Sequence, residues 1–205
     1  MSNRRKGRQV KIENKEDHAI ILDYLSHGYI DPRTNKPWGK PIAQAIGTKY
    51  FTLLELTPKE GVNLGIQDKV YIGTDKRDEI KRVVGKLQTT NLTSTAKIEI
   101  DYAIQDLVKA DEEKYVEFFN TSTGISLRKH SLELLPGIGK VQMRRILEAR
   151  EKKEFESFDD IVDRVEGLID PAAIISKRIL EEIDVEKREK NKYYLFTPAP
   201  RKNDH

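Results

Sequence analysis

The sequence contains no cysteine, which excludes disulfide bonds, thiolate nucleophiles and metal sites with cysteine ligands. Its four histidines, His18, His27, His130 and His205, are far apart along the chain, and no two have the helical spacing of metal ligands. No run reaches the roughly 18 to 20 apolar residues that a membrane-spanning helix requires. The basic start, MSNRRKGRQVKIENKED, has no apolar stretch behind it and is not typical of a secretory signal. We therefore expect a cytoplasmic protein without a structural metal and without a membrane partner.

An excess of one sign of charge is also nearly lacking, because 37 Lys and Arg residues are balanced by 34 Asp and Glu residues, for a net charge of only +3. With 35% charged and 37% hydrophobic residues, the composition is typical of a globular protein with a heavily charged surface. Any affinity for nucleic acid must come from where the charges lie. Basic residues cluster at both ends of the chain: Arg4, Arg5, Lys6, Arg8 and Lys11 at the start, and Lys187, Arg188, Lys190, Lys192, Arg201 and Lys202 at the end.

The sequence pattern changes near residue 124, from mixed helix and strand signals to helix signals alone. Before it, the patterns predict a helix over 18–30, strands within 49–58 and 64–73, two further strands within 81–102 with a bulge at Gly85, and a helix over 101–120. Several short strands separated by turns favour a small curled sheet or barrel. We therefore predict that residues 1–123 form an α+β domain with an OB-like barrel, and that the polar segment NTSTG, residues 120–124, marks its boundary.

The second half is helical throughout. Its apolar spacing and caps predict four helices, over about 126–135, 139–152 and 157–165 and from Asp170 onward. We assign residues 124–185 to an all-α domain and residues 186–205 to a basic tail. The apolar stretch KYYLFTPAP in that tail predicts that it folds back, with docking on the N-terminal domain as one arrangement, whereas an unstructured end is the alternative.

The segment LELLPGIGKVQMRRILEAR, residues 132–150, contains a Pro-Gly-x-Gly turn between two helical patterns. Reversing direction in so few residues requires positive φ angles or close backbone contact, which glycine tolerates best. The second helix begins beside Gly139, so its unpaired N–H groups and the positive end of its dipole face the turn. A phosphate can approach those amides, and Lys140 and Arg144 lie one helical turn apart on the same face. Such contacts touch phosphates and no base edges, so they are independent of sequence.

This segment resembles the helix-hairpin-helix motif of DNA-repair, competence and polymerase-associated proteins, and residues 126–184 resemble a tandem version of it. The resemblance implies that Gly137, Ile138, Gly139, Lys140 and Val141 bind a nucleic-acid backbone, sometimes with a monovalent cation held by loop carbonyls; it implies no other cofactor. Two features depart from the pattern. Met143 replaces the usual alanine, and the second hairpin, VEGLIDPA, has Ile169 in place of its second glycine and adds Asp170. The whole chain is similar to an uncharacterised archaeal family described as candidate nucleic-acid-binding proteins.

Three alternatives stay open at this point. The tandem hairpins can instead be scaffold in a protein-interaction module. In the front domain, Tyr50, Phe51 and Tyr71 with Lys69, Lys81, Arg82 and Lys86 form either a stacking and phosphate-binding surface or part of the core. A metal-dependent nuclease would use Glu99 and Asp101, which the strand prediction places on one face. No Walker loop, nucleophile elbow or dinucleotide signature is present, which argues against common nucleotide-dependent chemistry. We predict a non-catalytic protein that binds RNA or DNA, largely independently of sequence, through the first hairpin.

Overall fold

A computed structural model describes residues 15–29, 39–188 and 192–199 of the chain. The basic cluster predicted at the start of the chain lies outside these residues, as do Lys190, Arg201 and Lys202. The fold is a mixed α+β arrangement, as predicted. No helix in the described part of the chain is both long enough and apolar enough to cross a membrane.

A curled sheet of five antiparallel strands forms the front of the molecule. Its strands are β1 (His18–Leu25), β2 (Ile42–Gly47), β3 (Leu53–Pro58), β4 (Lys69–Tyr71) and β5 (Ile80–Lys86). They pair in the order β4-β1-β2-β3-β5, so β4 and β5 are the two edges. One face encloses an apolar cluster that includes Ile21, Leu56 and Ile80. The other face packs on a long helix, α1 (Ser94–Ala110).

The remaining helices follow α1 along the chain. They are α2 (Glu112–Thr121), α3 (Lys140–Lys152), α4 (Phe158–Arg164), α5 (Pro171–Ile183) and the short α6 (Val185–Arg188), with 3-10 helices at Thr89–Asn91 and Ser131–Leu134. A two-stranded hairpin, β6 (Gly124–Ser126) and β7 (Lys129–His130), lies between α2 and the second 3-10 helix. Helix α1 contacts β1 and β2 on one side and α5 on the other.

The helix predicted over residues 18–30 is wrong, because residues 18–25 form strand β1. A bulge between Ile21 and Asp23 shifts the register of its pairing with β2. Ile21 and Leu22 are both buried, in clusters on opposite faces of the sheet, because both faces of β1 are covered. Burial of both faces together with the bulge breaks the alternation expected of a strand and imitates helical spacing.

The second strand predicted within 81–102 is also wrong, because α1 begins at Ser94. The hydroxyl of Thr93 accepts a hydrogen bond from the amide of Ala96 and caps the helix. The same hydroxyl donates to the carboxylate of Asp23 over 2.6 Å, which attaches the cap to β1. Ile98 is 60% exposed whereas Ile100 is buried, so the alternation of this segment does not reflect two sheet faces.

The helix predicted over 126–135 is replaced by the β6–β7 hairpin and the 3-10 helix Ser131–Leu134. His130 caps this 3-10 helix, since its Nδ1 accepts the amide of Leu132 and its own amide donates to Glu133. These local bonds compete with helix formation in a short, polar segment. The strands predicted within 49–58 and 64–73 are confirmed as β3 and β4, the bulge lies beside Gly85 in β5, and the helices predicted over 139–152 and 157–165 and after Asp170 are present.

One apolar cluster crosses residue 123, where the sequence predicts a domain boundary. It joins Leu22 and Ile46 of the sheet to Ile104 of α1, Ile146 of α3 and Ile179 of α5. The division into two domains and a tail stays a prediction, but the core of the described chain is continuous across it.

The described part of the tail lies against α2 and α5 and forms no strand. The ring of Phe196 meets those of Tyr115 and Phe118 edge-on, with centroids 5.5 and 5.1 Å apart. Glu182 of α5 is fully buried, and its carboxylate accepts the amides of residues 195, 196 and 197 as well as Nε of Arg178. This buried carboxylate and the ring contacts of Phe196 together attach the tail to the body.

Candidate nucleic-acid interface

The turn between the second 3-10 helix and α3 is tight and well anchored. The carbonyl of Leu135 accepts the amide of Ile138 over 3.1 Å. Both of these side chains are buried in the core. Gly137, between them, has φ 84°, a left-handed conformation that an L side chain rarely adopts. The turn therefore requires glycine at position 137.

Helix α3 begins directly after this turn without a side-chain cap. Its N-cap is Gly139, with φ −90° and ψ −177°, which is extended backbone that any residue adopts. The carbonyl of Gly139 accepts the amide of Met143 over 2.9 Å. Within the described part of the chain, the amides of residues 139–142 have no protein acceptor. They project at the positive end of the helix dipole, where an anion is stabilised.

The fold does not require glycine at position 139. A Cβ placed on it meets no heavy atom within 4 Å, and the same is true of Gly137. Only Gly137 has a backbone angle that demands glycine, so the prediction that turn geometry explains both glycines holds for one of them. At position 139 the missing side chain leaves the adjacent amides open to a ligand.

Two cationic side chains stand beside these amides. Lys140 and Arg144 are exposed, and neither forms an ion pair with a residue in the described ranges. Val141 is 65% exposed, whereas Ile138 is only 4% exposed and points into the core. Ile138 therefore offers a ligand only its backbone, and its amide is already bonded to Leu135. We call the free amides of residues 139–142 with the side chains of Lys140 and Arg144 the amide–cation surface.

A second turn, between α4 and α5, repeats the backbone geometry but not the open amides. Gly167 has φ 83°, and the amide of Leu168 donates to the carbonyl of Val165 over 3.1 Å. Here, however, the carboxylate of Asp170 accepts the amide of Ala173 over 2.9 Å and caps α5. The next residue is Pro171, which has no N–H. The second turn is thus capped and acidic, which disfavours an anion.

The two turns are attached to each other by contacts that the sequence did not reveal. The carbonyl of Glu166 accepts Nε2 of Gln142 over 3.0 Å and a guanidinium N–H of Arg145 over 2.8 Å. Arg145 also pairs with the carboxylate of Glu166 at 3.0 Å. Arg144 and Arg145 are neighbours in sequence, yet Arg145 is occupied within the protein and Arg144 is available. No local signal distinguishes them, because the partner is more than 20 residues away.

The five secondary candidates lie on the two edge strands of the sheet. Lys69 and Tyr71 are on β4, whereas Lys81, Arg82 and Lys86 are on β5. All four cations are exposed. The ring of Tyr71 is half-buried and packs edge-on against His18, and its hydroxyl is bonded to Asp75. Strand order therefore separates these residues into two groups.

The aromatic surface considered for the front domain is only partly formed. Phe51 is buried, with 2% exposure and a positive φ of 55°, and belongs to the core. Tyr50 is half-buried, and the ammonium of Lys49 lies 5.2 Å from its ring centroid. A stacking surface that uses Phe51 is therefore excluded.

The carboxylate pair considered for a nuclease does not share a face. Glu99 and Asp101 lie on helix α1, where residues two apart point in different directions. The carboxylate of Glu99 accepts Nε2 of Gln67 over 2.8 Å. Among the residues that the structure describes, no group of three His, Asp or Glu side chains is placed to hold a metal ion.

Comparison with known proteins shows where this chain belongs. The family described as protein of unknown function (DUF655) matches residues 15–198, and the chain belongs to it. It is 44% identical over 186 residues to the uncharacterised protein MJ0038 of Methanocaldococcus jannaschii, covering 91% of this chain and 82% of that one. It also resembles the crystal structure of Af1531 from Archaeoglobus fulgidus, with 43% identity and a TM-score of 0.81, over 89% of this chain and 100% of that one. The resemblance to an uncharacterised archaeal family is thereby confirmed.

Proposed function

We propose that this DUF655 protein is a non-catalytic nucleic-acid-binding protein that contacts the phosphate backbone through the amide–cation surface. The observation that carries the proposal is the uncapped start of α3 at Gly139, a position where the protein itself does not require glycine. Free amides at the positive end of a helix dipole, with two exposed cations alongside, match the chemistry of a phosphate.

The contrast between the two turns supports this assignment. They share a glycine of nearly the same φ and the same closing hydrogen bond, so folding requirements alone do not distinguish them. They differ at the helix start, where Asp170 caps α5 and Gly139 leaves α3 open. We infer that the first turn contacts the ligand and the second supports it through Glu166.

We propose further that the helical half is a tandem helix-hairpin-helix and that the curled sheet is an OB-like barrel. The repeated turns support a tandem helix-hairpin-helix arrangement, although the first of its helices is only a 3-10 turn. The five-stranded curled sheet with unpaired edges in its described residues supports an OB-like, partly open barrel. On this basis Lys81, Arg82 and Lys86 of β5 extend the phosphate contacts, and Lys69 and Tyr71 of β4 lie on the other edge. We propose cytoplasmic action without a cofactor, apart from a monovalent cation at the turn carbonyls.

A protein-interaction role is the second candidate, and a specific observation favours it. Val141 and Ile169, one beside each turn, are 65% and 85% exposed. Exposed apolar side chains near two turns suit a protein partner better than a phosphate backbone. Absence of nucleic-acid binding would leave this candidate as the preferred one.

The deciding experiment measures binding to labelled single-stranded and double-stranded RNA and DNA over a range of salt concentrations. The test variant is Lys140→Glu with Arg144→Glu. A charge-matched control, Lys97→Glu with Lys177→Glu, changes two exposed lysines on α1 and α5. Each phosphate contact contributes about 0.7 to 0.9 to the slope of log affinity against log salt, so the test variant should lose about 1.4 to 1.8 of it.

The control should retain a slope much closer to that of the wild type, since its lysines lie outside the amide–cation surface. Equal losses in the two double variants would show that only net charge matters and would refute a specific surface. No binding by the wild type to any ligand at low salt would refute the proposed function.

A further inference from the structure

A cavity of about 170 Å³ opens where the curled sheet comes closest to closing. It lies between β3, β5, the segment before β1 and the segment after β4. Leu54, Ile72 and Val83 form apolar walls, of which the first two are buried. Thr52 and Thr74 add hydroxyl groups. The cavity therefore joins the two edges of the sheet, which strand order alone places far apart.

The charges around this cavity favour an anion. Lys15, Arg77 and Lys86 line it, and Lys15 and Lys86 are exposed. Nε of Arg77 donates to the carbonyl of Gly73 over 2.8 Å, which holds the guanidinium beside the cavity. Two carboxylates also line it, Glu16 and Asp17.

Of these two carboxylates, Glu16 is already occupied. It is 7% exposed, and its oxygens accept the amides of Lys49, Tyr50 and Thr52 over 2.9, 2.9 and 3.2 Å. Asp17 is exposed at the surface. Three cations thus face two carboxylates at the cavity, and of these carboxylates only Asp17 is exposed to a ligand.

We propose that this cavity binds one unpaired nucleobase, with the attached phosphate at the cationic rim. An apolar cavity of about 150 Å³ accommodates a benzene ring, so the volume here suits one heteroaromatic ring system. The apolar walls contact its faces and the threonine hydroxyls pair with its edge. An acyl chain would leave those hydroxyls unpaired, and a hydrated inorganic anion would leave the apolar walls unused.

A bound nucleobase specifies the ligand of the proposed function as an unpaired nucleotide. This proposal rests on the proposed function, because it takes that nucleotide to be part of a nucleic-acid strand. A free nucleoside monophosphate offers the same chemistry as a nucleotide within a strand. Two arms of one experiment distinguish these sources. The first titrates UMP and AMP while the methyl signals of Leu54, Ile72 and Val83 are followed by NMR. The second compares the affinity of a fully paired duplex with that of the same duplex carrying one bulged nucleotide.

Two variants test the cavity in both arms. Lys86→Glu reverses an exposed charge at the rim, and Val83→Phe fills the cavity. Lys97→Glu is the matched control, since Lys97 is an exposed lysine on α1 that neither lines the cavity nor belongs to a proposed binding surface. We expect Lys86→Glu to weaken binding about tenfold or more, as loss of a charge-assisted contact does, and Lys97→Glu to weaken it much less. A melting curve of each variant identifies a loss caused by unfolding.

If UMP or AMP shifts these methyl signals and Lys86→Glu abolishes the shifts, the cavity binds a free nucleotide. If the protein prefers the bulged duplex and Lys86→Glu removes this preference, the cavity binds an unpaired nucleotide within a strand. If neither monophosphate shifts these methyls at millimolar concentration and the bulge confers no preference, the inference is refuted. The proposed function is judged separately, by the Lys140→Glu and Arg144→Glu variant on the fully paired duplex.

Discussion

Replacing Gly139 by serine should stabilise the protein and weaken its binding to nucleic acid. The backbone at this position is extended, and a Cβ has open space around it, so serine fits without strain. Its hydroxyl can accept an amide in the first turn of α3 and supply the cap that the helix lacks. The same hydrogen bond occupies an amide that the proposed function assigns to a phosphate.

The gain in stability and the loss of affinity have separate physical causes. A serine cap in place of glycine contributes a few tenths of a kcal/mol, and restricting the unfolded chain adds about 0.4 to 1 kcal/mol. For a chain of this size, a total of about 0.6 to 1.4 kcal/mol raises the melting temperature by about 1 to 6 °C. Losing one charge-assisted hydrogen bond costs about 1.5 to 3 kcal/mol, which corresponds to about 10- to 100-fold weaker binding.

Melting curves and binding isotherms on the same preparations provide the assay. Gly139→Ala is the matched variant, because it adds a Cβ but no acceptor, so its amides stay free and its affinity should fall between the other two. Weaker binding by the more stable protein cannot result from unfolding. Serine and wild-type proteins that bind within twofold of each other would refute the role of these amides.

Three further predictions follow from other parts of the structure. Gly137→Ala places a side chain at φ 84° and should destabilise the fold by about 1 to 2 kcal/mol in denaturant titrations, whereas an unchanged midpoint would contradict the strained turn. Glu182→Ala should lower the unfolding free energy by about 3 to 5 kcal/mol and expose the tail to protease. It removes the carboxylate that accepts Nε of the buried Arg178 and leaves three tail amides without their acceptor. Resistance of the tail to protease would argue against this attachment. Burial, with Arg150 nearby, lowers the pKa of His130, whose Nδ1 accepts the amide of Leu132. The unfolded chain therefore binds the proton more tightly, and stability should fall as pH drops below the ordinary histidine value of 6.5, an effect that His130→Asn should reduce.

The sequence predicted those features that depend on neighbouring residues. The turn after Leu135, the start of α3 at Gly139 and the cap of α5 at Asp170 all follow from residues within one helical turn. Strand β3 was predicted for the same reason, since β-branched and aromatic residues run up to Pro58. These predictions hold because capping, φ restriction and missing N–H groups act over a few residues.

The errors arose where distant contacts override the local pattern. Strand β1 imitates a helix because both of its faces are buried and a bulge shifts its register. The segment after Thr93 alternates like a strand, but a cap that Asp23 holds from 70 residues away starts a helix. A periodic pattern reports which residues are buried, and several arrangements of neighbours can bury the same residues.

The residues of the candidate site show the same difference between local and long-range causes. Gly137, Gly139, Lys140 and Arg144 were identified from sequence alone, because a glycine turn before a basic helix is a local signature. Only the tertiary structure shows that the fold requires one of the two glycines and that one of the two adjacent arginines is free. Glu166 pairs with Arg145, whereas Arg144 is exposed. The cavity between the sheet edges likewise exists only once the sheet has curled. Local chemistry determined which residues can meet a phosphate, and long-range packing decided which of them are free to do so.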